Sequence, residues 1–227
     1  MTNFLKKIFC KQNNNAVDDS KPVCPYCRKV LDIKPKRKKK CPFCNNDIYV
    51  RSKQKIFSST LLNKEDAIAV DWLKNLENFG IKDNDFINER RELSKKFGKK
   101  AKSTDVIWGL FNELIILKIK TKDLNSLKMI YYDMALFLNK EGKDCFTVLQ
   151  QSAKMDLMRF KQEGSIKKVQ ILTQQENSCE ACRQLENKVF TIEEALEKMP
   201  IPCKECTQKL YDEKRGFCRC SYVAEIE

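Results

Sequence analysis

Ten of the twelve cysteines in this 227-residue chain fall into five close pairs, and that spacing limits the fold more than any other feature. Pairs 24/27, 41/44, 179/182 and 203/206 have two residues between the thiols, and pair 218/220 has one. Thiolates this close in sequence converge on one side of a tight turn, which is chelate geometry for a tetrahedral ion. A secreted disulfide scaffold is the other reading of the count. It requires a signal peptide, and residues 1–10 do not read as one: Phe4, Leu5, Ile8 and Phe9 are broken by Lys6 and Lys7. Phe9 also stands where a lipoprotein signal needs a small residue before Cys10. Reduced thiols imply the cytoplasm. No apolar run approaches the roughly 20 residues of a transmembrane helix.

The first two pairs read Cys24-Pro25-Tyr26-Cys27 and Cys41-Pro42-Phe43-Cys44, 13 residues apart. Two such knuckles predict a zinc ribbon over residues 21–55, closed by four thiolates. Iron, as in rubredoxin-like sites, is the alternative occupant. Val30, Leu31 and Ile33, and then Ile48, Tyr49 and Val50, are the expected strand residues. In the C-terminal segment, Cys179/Cys182 and Cys203/Cys206 are separated by 20 residues and match a zinc spacing. Cys218/Cys220 could replace either pair, because six thiols exceed the four of one tetrahedral ion. Two zinc ions per chain are expected, one for each module.

Charge separates the two modules. Residues 1–55 hold 15 Lys/Arg against 4 Asp/Glu, whereas residues 56–227 hold 29 against 27. Zinc bound by four thiolates carries about −2, which leaves the first segment near +9. Lys34, Lys36, Arg37, Lys38, Lys39 and Lys40 run between the knuckles, and Arg51 follows them. These are candidate phosphate contacts for DNA or RNA through residues 21–55. A solvated loop is the bland alternative. Lys outnumbers Arg, and nothing marks a helix that would read base edges.

The fold class expected is mainly α. A central antiparallel helical bundle at residues 60–164 is flanked by the N-terminal β zinc ribbon and by a Cys-rich α+β metal module at 165–227. Residues 1–20 read as a flexible tail. Helix starts are marked by Asn63 with Asp66, by Asp83 or Asp85, by Ser103 or Thr104, near Leu124 and near Cys145. Gly80, Gly98, Gly142 and Gly164 mark the stops. The third helix is apolar on most faces and reads as buried. Val169 and Ile171 alternate as in a strand, and Thr191 with Glu194 is a capping box.

The chain contains no histidine. That excludes Ser-His-Asp and Cys-His catalysis, HExxH proteases and His-ligated deaminases built from this chain alone. Lone Cys10 and Cys145 lack a His to activate them. A thiol redox activity at a spare pair is the enzymatic alternative.

The run from Ser178 to Phe190 and the ending Gly216-Phe217-Cys218-Arg219-Cys220-Ser221-Tyr222-Val223 resemble the C-terminal signature of the minor head proteins of Mu-like phages. That signature is a C-x-x-C, then a Leu-Asp-Gly-Lys-Val stretch, then a C-R-C close. Here Glu186-Asn187 replaces Asp-Gly, and no His-Pro-Asn precedes the close. The resemblance implies that Cys179, Cys182, Cys218 and Cys220 belong to one site. The whole chain also resembles an uncharacterised bacterial and phage-associated family with an N-terminal ribbon, a helical middle and the same ending. The function expected is a non-enzymatic zinc-binding adaptor that grips nucleic acid with its ribbon. A protein partner would be held by the helices and the C-terminal module. The alternative is an assembly module related to phage head components, without a nucleic-acid role.

Overall fold

A computed structural model describes residues 21–210 and 216–225; the expected tail, with Cys10, lies outside them. The chain divides into two compact units, Met1–Val70 and Asp71–Glu227.

The described part of the first unit is built on a three-stranded antiparallel sheet in the order β1 (Lys39–Lys40), β2 (Asp47–Val50), β3 (Leu61–Leu62). Lys39 pairs with Ile48, and Tyr49 pairs with Leu62. One edge strand therefore falls inside the lysine run, not at the expected Val30 to Ile33. Val30 makes only an isolated bridge to Val23, and Ile33 is 79% exposed. The reason is local: residues 39–40 abut Cys41 and lead directly into its knuckle. β3 lies past residue 55 and supplies Leu61 to a small core with Leu31, Ile48, Cys24 and Cys41.

Helix α1 (Lys64–Leu76) follows, with Asn63 Oδ1 accepting the Asp66 amide at 2.7 Å, the cap expected there. Then come α2 (Asp83–Phe97), α3 (Ser103–Lys120), α4 (Leu124–Lys140) and α5 (Phe146–Glu163). Gly98 at φ 63° and Gly164 at φ 72° close α2 and α5 in the left-handed conformation that glycine adopts without a Cβ penalty. Helices α2, α3, α4 and α5 pack in succession, most closely as the α4–α5 hairpin. Trp72 stands edge-on to Phe111 at 5.8 Å and to Phe137 at 5.6 Å, linking α1, α3 and α4. In the hairpin, Asp156 is buried and paired with Lys128 at 2.8 Å and Arg159 at 3.0 Å. Ser152 Oγ donates to the Lys128 carbonyl at 2.8 Å. Helix α3 departs from the expectation of burial along its length. Its burial stops at Leu114, and Ile116, Leu117 and Ile119 are more than half exposed.

The rest of the second unit is a sheet in the order β5 (Val189–Thr191), β4 (Lys168–Leu172), β6 (Ser221–Glu225), all antiparallel. Two short helices accompany it, α6 (Glu180–Arg183) and α7 (Ile192–Lys198). The Thr191–Glu194 capping box opens α7. Val169 and Ile171 face a core formed with Leu157 and Phe160 of α5, Ile192, Ala195, Ile201 and Tyr222.

Two substitutions test this packing. Phe111 is fully buried among Trp72 and Phe137, so Phe111→Ala is expected to cost about 3–5 kcal/mol. The urea midpoint should fall with little change in slope. Burial raises the Asp133 carboxyl on α4 to about 6 from 3.8, against a smaller pull from Lys140. The folded chain thus binds that proton more tightly than the unfolded chain, and stability declines as pH rises through this window. At neutral pH, Asp133→Asn should raise the unfolding free energy by about 1 kcal/mol, after discounting for partial exposure.

Candidate metal centres

The two N-terminal knuckles share one backbone pattern. The Cys24 amide donates to the Lys29 carbonyl at 2.9 Å, and the Arg28 amide to the Cys24 carbonyl at 3.1 Å. The Cys41 amide donates to Asn46 at 2.9 Å, and the Asn45 amide to Cys41 at 2.9 Å. Arg28 (φ 61°) and Asn45 (φ 56°) take the left-handed conformation that turns each knuckle back on itself. The thiols of Cys24, Cys27, Cys41 and Cys44 consequently lie within 4.8 Å of one another. Sγ–Sγ separations are 3.8 Å for Cys24–Cys44 and 3.8 Å for Cys27–Cys41. A tetrahedron with metal–sulfur bonds of about 2.3 Å has edges of about 3.8 Å, so the four thiols fit a metal ion. The Asn46 backbone amide, helped by its side chain, lowers the Cys44 thiol to about 7. Burial raises Cys24 to about 11.

The second cluster rests on different supports. Cys179 caps α6, and Cys182 lies within that single turn. The Gly216-Phe217-Cys218-Arg219-Cys220 ending is explained residue by residue. A Cβ at 216 would collide with the Cys206 carbonyl, so only glycine fits that approach. Phe217 is buried, edge-on to Tyr132 at 5.5 Å, in a cluster with Ala135 and Leu149 of the α4–α5 hairpin. It anchors Cys218, and Cys220 leads directly into β6. Two groups of thiols come within 4.8 Å of one another: Cys179, Cys182 and Cys206, and then Cys182, Cys218 and Cys220. Either could hold a metal ion. Cys179 and Cys206 are 3.8 Å apart, as are Cys182 and Cys218. Burial works against ionisation of Cys179, but the amides of Cys182 and Thr207 prevail and lower its thiol to about 7. Burial and the Cys218 thiolate raise Cys182 to about 12.

Cys203 belongs to neither group. Its Sγ faces Glu205 Oε2 at 3.6 Å, while its amide donates to Cys218 Sγ at 3.3 Å. Cys145 is buried in the same apolar cluster as Phe217.

The basic candidates are placed as follows. Lys34, Lys36, Arg37, Lys38, Lys39 and Lys40 are all exposed. Lys38 is committed to Asp47 at 2.9 Å and stands over the Tyr49 ring at 5.0 Å. Arg51 is half-buried and donates to the Val50 carbonyl at 3.0 Å. Sequence reasoning did not single out the aromatic residues of the knuckles: Phe43 is 48% exposed beneath Lys29, and Tyr26 is 38% exposed. Alternation in the C-P-aromatic-C motif is too short to show which way these rings turn. Among the described residues no helix is long and apolar enough to cross a membrane. No family model, curated protein or solved structure matches the chain.

Each bound thiolate must first lose its proton, so metal affinity rises with pH. The thiols at about 7 and those at about 11 and 12 all reprotonate in acid. Dialysis of the full chain at descending pH, followed by elemental analysis, should show progressive loss of metal. Cys24→Ser should remove one ion per chain and leave the C-terminal complement in place, with helicity by circular dichroism retained. Full metal retention in strongly acidic buffer, or no loss in the variant, would rule out the thiolate assignment.

Proposed function

We propose that the chain is a non-enzymatic zinc-binding protein that grips nucleic acid through its N-terminal zinc ribbon. The observation that carries this is the exposed run at residues 34–40, tied at its end to a four-thiol site. The chemistry of four soft thiolates in a closed tetrahedron suits zinc, which takes no part in redox chemistry there. Lys34, Lys36, Arg37, Lys39 and Lys40 neutralise phosphates and release counterions. The exposed rings of Phe43 and Tyr26 on the neighbouring knuckles add faces on which unstacked bases can lie, which favours single strands. The helical bundle and the C-terminal module complete the adaptor by holding a protein partner.

A second reading is an assembly module of the kind suggested by the resemblance to phage minor head proteins. It is favoured by the exposed apolar residues Ile116, Leu117 and Ile119 at the end of α3.

The test is a titration of the full chain against single-stranded RNA and short duplex DNA at two salt concentrations. Log affinity should fall against log salt by about 0.7 per contacted phosphate on single strands and about 0.9 on duplex. Replacing Lys36, Arg37, Lys39 and Lys40 together by Gln should weaken binding at low salt by at least about tenfold and flatten that slope. Binding unchanged by the four substitutions, or absent from the parent chain at low salt, overturns the nucleic-acid reading. The latter result accompanied by a stable oligomer turns the assignment to the second.

A further inference from the structure

The C-terminal thiols raise a question of number that the N-terminal site does not. One tetrahedral ion needs four sulfurs that are all mutual neighbours, as Cys24, Cys27, Cys41 and Cys44 are. In the second cluster no such set of four occurs among the described residues. Two sets of three occur instead, and they have Cys182 in common. Cys182 Sγ lies within 4.8 Å of Cys179, Cys206, Cys218 and Cys220 alike. Cys218 is the second hub: it is 3.8 Å from Cys182, close to Cys220, and also in contact with Cys206. These two hubs are the buried members, 3% and 4% exposed, and the thiols around them are only half-buried.

We infer that the C-terminal module holds two metal ions, bridged by the thiolates of Cys182 and Cys218. The first ion takes Cys179 and Cys206 as its terminal ligands. The second takes Cys220 on its outer side, and Cys203 completes its shell by turning its half-buried side chain away from Glu205. A thiolate sulfur carries lone pairs enough for two cations, so six thiols supply eight metal–sulfur bonds when two of them bridge. This accounts for all six thiols of the module, which a single ion cannot use.

Charge supports the arrangement. Two dications with six thiolates sum to −2, the same charge as one dication with four thiolates, so the second ion adds no charge to the partly buried site. The amide of Cys203 donates to bridging Cys218 Sγ at 3.3 Å and draws charge off it. Arg219, between Cys218 and Cys220 in sequence, has its Nε buried without a hydrogen-bond partner among the described residues, and a cluster of net −2 would give that cation a nearby counter-charge.

The inference rests on the reading of the thiol clusters as metal sites, and one experiment separates the two. The full chain, purified under reducing conditions with zinc supplied, is analysed for metal and for protein by amino-acid analysis. Three ions per chain are expected: one in the ribbon and two in the C-terminal module. Cys24→Ser should lower the count to two, and Cys220→Ser should also lower it to two by removing the outer ion alone. Cadmium NMR on the exchanged parent chain supplies a readout that needs no variant. Two of the three cadmium signals should be split by each other and correlate with the β-protons of shared cysteines. Two ions per chain with unsplit cadmium signals overturns the bridged pair and leaves one ion in each module. No bound metal overturns both the pair and the reading of the clusters as metal sites.

Discussion

Convergence of thiolates on a cation stands in for a hydrophobic core that the N-terminal module is too small to build. Its buried apolar residues are few: Leu31, Ile48, Ile56, Leu61 and Leu62, with the buried thiols of Cys24 and Cys41 among them. A core of that size cannot offset the conformational entropy of ordering some forty residues, at about 1–2 kcal/mol each. Metal binding is folding free energy in such modules. The two knuckles must therefore be preformed by their own backbones, and the matched pairs of amide bonds around Cys24 and Cys41 do this. The left-handed turns at Arg28 and Asn45 are the local cost of aiming four sulfurs inward.

The C-terminal thiols meet the opposite situation. They are set into an apolar surround already made by α4 and α5, where Phe217 packs on Tyr132, Ala135 and Leu149. The sheet beside them has its own core of Val169, Ile171, Ile201 and Tyr222. Apolar burial here holds the thiols close together before any ion arrives, and the thiols shift one another's ionisation in consequence. Burial, and then the Cys218 thiolate, drive Cys182 up, while hydrogen bonds from the Cys206 and Cys220 thiols draw Cys218 down.

This contrast explains what could be read from the residues. Helix ends were legible because caps are local: Asn63 with Asp66, Thr191 with Glu194, and the terminal glycines act within a few residues. The convergence of Cys24, Cys27, Cys41 and Cys44 was legible because a chelating turn is also local. The strand at Lys39–Lys40 was not, since its pairing with Asp47 and Ile48 depends on the knuckle between them and not on the propensity of lysine. The exposed end of α3 was missed for a related reason: an apolar face predicts burial only if another element covers it, and coverage ends after Leu114. Spacing left three pairings open among six C-terminal thiols. Burial sets Cys182 and Cys218 at the centre of the cluster, while the Cys203 thiol faces Glu205.

The basic run gains its character from being tied at both ends. Before it, the Leu31 amide donates to the Pro22 carbonyl at 2.8 Å; after it, β1 pairs with β2 and enters the Cys41 knuckle. The backbone between these ties is short, so its closure entropy is lost on folding of the module. Side chains alternate across a strand, which sends Lys39 and Lys40 to opposite faces of the sheet. Lys38, though exposed, pairs with Asp47 and stands over the Tyr49 ring, and so braces the loop. The run therefore displays cations on both faces of a narrow projection.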